Sequence, residues 1–134
     1  MENVAVSAAR EVLAERATSY LAALDRLDLD DVLSFFADDA VLSVRTAELT
    51  VRGTDEIREM WQSFFCSHLA MEHRVTRVVV DEAARTVVTE QEFTGKLVDG
   101  DTEERTSIYV FEFDAHGRFT DVSVWIDNEI PARS

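Results

Sequence analysis

Among the side chains able to move a proton or hold a charged oxygen are the chain's two tyrosines, Tyr20 and Tyr109, the strand histidine His73, and acids such as Asp127. A phenol donates a hydrogen bond, an imidazole exchanges protons near neutral pH, and a carboxylate can serve as a base. Such a set suits proton transfer at a carbon next to a carbonyl or hydroxyl. No Cys/His/Asp group has metal-ligand spacing, and four glycines form no phosphate-cradling loop, so neither metal nor other cofactor is implied. The single cysteine, Cys66, lies in the apolar run W-Q-S-F-F-C-S-H and is expected to be a buried, inert thiol.

These residues need a scaffold. The chain has 134 residues, enough for one domain over 1–134, and its 46% hydrophobic and 30% charged content fits a globular protein. A formal charge of −14 repels phosphate backbones and anionic lipid, so neither nucleic-acid nor membrane partners are expected. The first residues lack a signal-peptide layout and no apolar run would span a bilayer, which makes a cytoplasmic location the expectation.

Leu13, Ala17, Tyr20, Leu21 and Leu24 recur at helical steps across a segment from Val4 to Leu27, so Tyr20 points inward. Glu11, Glu15, Arg16 and Asp25 fall largely on its other face. A short helix follows over Leu29 to Phe36, capped by Asp28 or Asp30. Asp38-Asp39 reads as a turn, and Ala40 to Arg45 and Glu48 to Val51 as two strands. Thr54 is the expected N-cap of a third helix, whose stripe Ile57, Trp61, Phe64 and Phe65, with His68 as a further candidate member, reads as core. No function is expected of His68 or His116.

From Met71 the period becomes two. Four strands, Met71 to Val80, Arg85 to Val98, Thr102 to Phe113 and Arg118 to Asn128, are joined by short turn-forming clusters and should form antiparallel hairpins. Tyr109, Phe111 and Phe113 share one face. Val122, Val124 and Ile126 alternate with Trp125, so Trp125 lies on the opposite sheet face, most simply covered by a second subunit. His73 has no readable parity, because both faces of its strand carry apolar residues. Helices followed by such a sheet make the class α+β.

The run Y-L-A-A-L-D-x-x-D-L-D-x-V-x-x-F-F-A-D-D-A-V, followed by R-G-T-D-E-I-R, resembles the nuclear transport factor 2-like superfamily. That group includes ketosteroid isomerases, SnoaL-like polyketide cyclases, limonene epoxide hydrolases and scytalone dehydratases. The resemblance implies a cone-shaped curved antiparallel sheet of about six strands wrapped by three helices. It also implies a mostly apolar cavity, and often a homodimer formed through the outer sheet face.

Carried over by the motif, the isomerases' first oxyanion residue, a tyrosine, matches Tyr20, and their second, an acid, falls on Tyr109. Their catalytic base falls on Val44, which cannot accept a proton, so steroid isomerisation by that route is not expected. Trp61 stands where those enzymes carry a further tyrosine. Matching the family register puts Val87, Thr89, Gln91 and Phe93 inside and Glu90 and Glu92 outside. Scytalone dehydratase-like members imply a role for His73, and SnoaL-like cyclases imply an acid on the last strand, here Asp127. Arg105 and Asp127 supply only two members of the epoxide hydrolases' Asp-Arg-Asp set.

Trp61, Phe64, Gln91, Phe93, Phe111 and Asn128 are then the expected substrate contacts, and a small apolar organic molecule the expected ligand. The functional expectation is isomerase, cyclase or dehydratase chemistry without a cofactor. The alternative is a non-catalytic small-molecule-binding or dimerisation module of the same fold.

Overall fold

In a computed structural model, which describes residues 2–127 and side chains from residue 9, three helices pack on one six-stranded sheet. The helices are α1 (Glu2–Asp25), α2 (Leu29–Ser34) and α3 (Gly53–Cys66). The strands are β1 (Phe36–Val44), β2 (Leu49–Arg52), β3 (His68–Asp81), β4 (Thr86–Leu97), β5 (Thr102–Phe113) and β6 (Phe119–Ile126). Their spatial order is β2-β1-β6-β5-β4-β3. The sheet is mixed: β1 runs parallel to β6, and the other neighbours are antiparallel. This is the α+β architecture expected from the pattern of helices and strands, with one parallel pairing added.

Apolar periodicity decides which helix faces are buried. From α1, Leu13, Ala17, Tyr20, Leu21 and Leu24 enter the core, and from α3, Ile57 and Trp61 do. Asp28 caps α2 by accepting from the Asp31 N–H at 3.1 Å. Thr54 does not cap α3: the helix begins at Gly53, and Glu56 reaches back to the Arg52 N–H at 2.8 Å instead. Asp38 and Asp39 lie within β1 as an exposed irregularity, where the register against β6 shifts between Phe36 and Val41, and not in a free turn. Cys66 is exposed, because it ends α3 one position off the buried stripe, and His68 is buried in its stead.

Two local features aim the residues discussed below. α1 ends at Asp25, and Leu27 takes a left-handed conformation (φ 55°) that turns the chain away. Asp25 is thereby left at the helix's C-terminal end facing β3. On β3 the register shifts between Val75 and Arg77, a bulge that reverses which side chains face inward. Before it, Met71, His73 and Val75 lie on the inner face; after it, Val78 and Val80 pair with the inward-facing Thr89 and Val87. On the outer face Trp125 and Ile108 are exposed and directly paired in register. Among the described residues no helix is long and apolar enough to cross a membrane.

Candidate active site

A cavity of about 470 Å³ opens between α3 and the inner face of the sheet. Its hydrocarbon wall comes from Val44, Leu49, Trp61, Phe64, Phe93 and Val124. Its polar groups are His73 on β3 and Glu103, Arg105, Ser107 and Tyr109 on β5, with Ser63 and Ser67 at the helix side. The four β5 residues alternate along one strand face, about 6.6 Å apart at each step. A mostly apolar hollow with a few converging polar groups is the usual form of a small-molecule site.

His73 is the best-positioned base in it. Its side chain is 5% exposed, its Nδ1 donates to Asp25 Oδ1 at 2.7 Å, and its own backbone N–H donates to Asp25 Oδ2 at 2.9 Å. One carboxylate thus clamps ring and backbone together. That carboxylate sits at a helix C-terminus, where the helix dipole disfavours negative charge. The two His73 hydrogen bonds offset this cost. With Nδ1 carrying the hydrogen, Nε2 bears the lone pair, and among the described residues it has no hydrogen-bond partner. The ring packs 5.0 Å from Phe93 and stands perpendicular to Tyr109 at 6.3 Å.

Tyr109 lines the same cavity, and among the described residues its hydroxyl has no hydrogen-bond partner. Burial, then the nearby Asp25 charge, pushes the phenol far above its ordinary value, so it remains a neutral donor. A lone-pair nitrogen and an O–H donor therefore face one hollow from neighbouring parts of the sheet.

The remaining expected residues divide. Trp61, Phe64 and Phe93 line the cavity, and so does Val44, which fills the isomerases' base position with hydrocarbon. Tyr20 does not reach the hollow. It lies fully buried behind Tyr109 and Trp61, ringed by Phe35, Phe36, Phe111 and Phe119 at 5.1–5.8 Å between centroids. Neither its hydroxyl nor the Trp61 indole nitrogen makes a hydrogen bond of normal geometry. Burial raises the Tyr20 phenol most, then Tyr109, and the nearby Trp61 N–H offsets only part of this.

Phe111 belongs to that aromatic core and not to the cavity wall. Gln91 is also fully buried, and its amide donates to the Ser107 carbonyl at 3.2 Å and hydroxyl at 2.9 Å, so it touches the cavity only through Ser107. Asp127 is exposed just beyond β6, with its backbone N–H on the Thr106 carbonyl at 2.8 Å. No inward bulge brings it in. Asn128 lies outside the described residues.

Three residues that the sequence pattern did not single out belong to the site. Asp25, assigned to the outer face of α1, is one helical turn beyond the buried Leu21, and that spacing was the available signal. His68 continues the Trp61–Phe64 stripe by one more turn. Glu103 shares the face of Tyr109 by counting back in twos along β5. Among the described residues, no group of acids, histidines and cysteine has the arrangement to hold a metal ion.

The family of SnoaL-like domains matches residues 17–122. The chain belongs to that family. Solved structures agree on the fold. AusH from Aspergillus nidulans is 23% identical over 90% of this chain and 87% of its own, with a TM-score of 0.80. A putative SnoaL-like polyketide cyclase from Shewanella denitrificans is 17% identical, covering 88% and 92%, also at 0.80. The BvnE pinacolase from Penicillium brevicompactum is 19% identical, covering 89% and 85%, at 0.78. No curated protein matches the sequence. The SnoaL-like cone is therefore the nuclear transport factor 2-like fold that the opening motif implies.

Proposed function

We propose that this SnoaL-like protein is an enzyme that moves a proton at carbon, without a cofactor, on a small apolar molecule bearing a carbonyl or hydroxyl. The observation that carries the reading is the pairing of His73 Nε2 and the Tyr109 hydroxyl on one apolar hollow, neither with a hydrogen-bond partner among the described residues. In this reading Nε2 takes a proton from a carbon next to the ligand's oxygen-bearing carbon. The electron pair moves towards that oxygen, and the Tyr109 O–H donates to it as charge gathers there. Asp25 stabilises the imidazolium that forms and keeps the ring turned to present Nε2. Return of the proton to another carbon would complete an isomerisation; its transfer from the imidazolium to a hydroxyl on the next carbon, with cleavage of that C–O bond, would release water and complete a dehydration. The named relatives, a putative polyketide cyclase and a pinacolase, support chemistry on small organic molecules in this fold.

A nitrobenzisoxazole tests the base directly, since loss of its ring C–H proton opens the ring to a coloured phenolate. Wild type should open it faster than buffer with saturation. His73→Gln should lose about 10²–10⁴-fold of that rate, and Tyr109→Phe about 10²-fold. Saturable binding with no acceleration, unchanged by either substitution, would instead make the cavity a non-catalytic binding pocket.

A further inference from the structure

The far end of the cavity holds a second histidine–carboxylate pair that the proposed mechanism leaves unused. His68 is 2% exposed at its side chain, and its Nε2 lies 2.8 Å from Glu103 Oε1. The other ring nitrogen, Nδ1, lies 2.9 Å from the Phe64 carbonyl and 3.0 Å from the Ser67 hydroxyl. A carbonyl only accepts, and the Ser67 hydroxyl already donates to that same carbonyl at 2.8 Å. Nδ1 must therefore carry a hydrogen. Two bare acceptors cannot meet at 2.8 Å without repulsion, so the Nε2–Oε1 contact contains a hydrogen too, whichever atom holds it.

The seat for this pair is built into the sheet. Gly95, on β4, lies opposite Glu103, and a Cβ there would meet His68 Cδ2 at 3.0 Å and Glu103 Oε1 at 3.1 Å. A side chain there would be in tight contact with the ring and the carboxylate, and both would have to give way by a few tenths of an ångström. Glu103 Oε2 lies 3.5 Å from an Arg105 guanidinium nitrogen, so both carboxylate oxygens are steered. Each oxygen retains a second lone-pair direction, and Glu103 lines the cavity. Six residue steps along β5, about 20 Å of extended strand, separate its backbone from that of Tyr109.

We infer that Glu103 is a second ligand-contacting residue, accepting a hydrogen bond from a hydroxyl at the ligand's far end, with His68 as its positioning residue. The ligand is then an elongated, largely apolar molecule with an oxygen function at each end. This rests on the proposed function only in taking the cavity to hold an organic ligand; it does not require His73 to be a base.

Dihydroxynaphthalene (hydroxyls at opposite ends) and 2-naphthol test it, with binding read from the fluorescence of Trp61 on the cavity wall. In wild type the second hydroxyl should tighten binding about tenfold. The roughly shape-conserving Glu103→Leu and the truncating Glu103→Ala should both abolish that advantage, and Gly95→Ala, which keeps both groups but pries them apart, should reduce it. Ring ¹⁵N spectra should show His68 Nδ1 protonated. No advantage in wild type, an advantage that survives both Glu103 variants, or a bare Nδ1 on His68 would each overturn the inference. An advantage that disappears in Tyr109→Phe but survives Glu103→Leu would overturn it while leaving the His73–Tyr109 reading intact. Failure to open a nitrobenzisoxazole would do the reverse.

Discussion

The two histidine–carboxylate pairs use the same chemical parts in opposite order. At Asp25–His73 the carboxylate stands behind the ring, bonded to Nδ1, and a ring nitrogen faces the cavity. At His68–Glu103 the ring stands behind the carboxylate, with Nδ1 tied to the Phe64 carbonyl, and a carboxylate oxygen faces the cavity. As proposed, the first order serves a base with a fixed tautomer; as inferred, the second serves an anchored acceptor. Which group lies behind which follows from the backbone: a helix C-terminus delivers Asp25 under β3, whereas the α3–β3 junction folds His68 under β5.

The sharpest way to break this contrast is Asp25→Asn. The amide could keep both contacts, accepting from the His73 backbone and donating to Nδ1, which would force the ring hydrogen onto Nε2. Nitrobenzisoxazole opening should fall about 10³-fold, with little change in thermal stability. The matching substitution at the other pair, Glu103→Gln, should cost no more than about tenfold in affinity for a dihydroxynaphthalene. Equal losses at both pairs would mean that their order does not matter.

Gly95→Ala comes next. The added methyl must displace the side chains of His68, Phe93 and Glu103 slightly, and chemical denaturation should show a loss of about 1–3 kcal/mol. The same experiment on Tyr20→Phe should show no loss or a gain of up to about 1 kcal/mol, because it removes a buried hydroxyl that has no hydrogen-bond partner. Burial holds the Tyr20 and Tyr109 phenols above their ordinary value, so the folded state keeps protons that the unfolded chain releases above about pH 10. That stability is complete below this pH and drains away as pH climbs through the folded values. Tyr20→Phe should therefore shift alkaline unfolding to higher pH.

The smallest effect belongs to Asp114, a carboxylate with turn-building duties alone. The Arg118 N–H at 3.0 Å and the His116 N–H at 2.8 Å hold it below its ordinary value. Its contribution is present above the unfolded carboxylate value and is lost as pH falls through the folded one. Asp114→Asn should flatten the acid end of a melting-temperature profile slightly and leave both cavity pairs untouched.

The fold was readable because its signals are local and repeated. Tyr109, Phe111 and Phe113 alternate without interruption, and the family register places Val87, Thr89, Gln91 and Phe93 correctly on the inner face. The site was only half readable. His73 had no legible parity because the bulge after Val75 moves the apolar set from one face to the other, leaving both faces apolar in the sequence. Asp25 and Glu103 share faces with Leu21 and Tyr109 by spacing, but a charged residue at the end of an apolar stripe reads as solvated unless its partner is known. Their partners lie 48 and 35 residues away, so only the tertiary fold reveals the pairs. Tyr20 misled for the opposite reason: its inward face was certain, but inward on α1 means the aromatic core behind the cavity.

The account depends most on His73 Nε2 acting on a ligand whose oxygen Tyr109 holds. Deuterium uptake from D₂O at the α-carbon of tetralone, followed by NMR, measures that event without needing the natural substrate. Wild type should accelerate uptake over buffer, and His73→Gln should return it to the buffer rate while the protein remains folded. Acceleration that survives in His73→Gln would contradict the account.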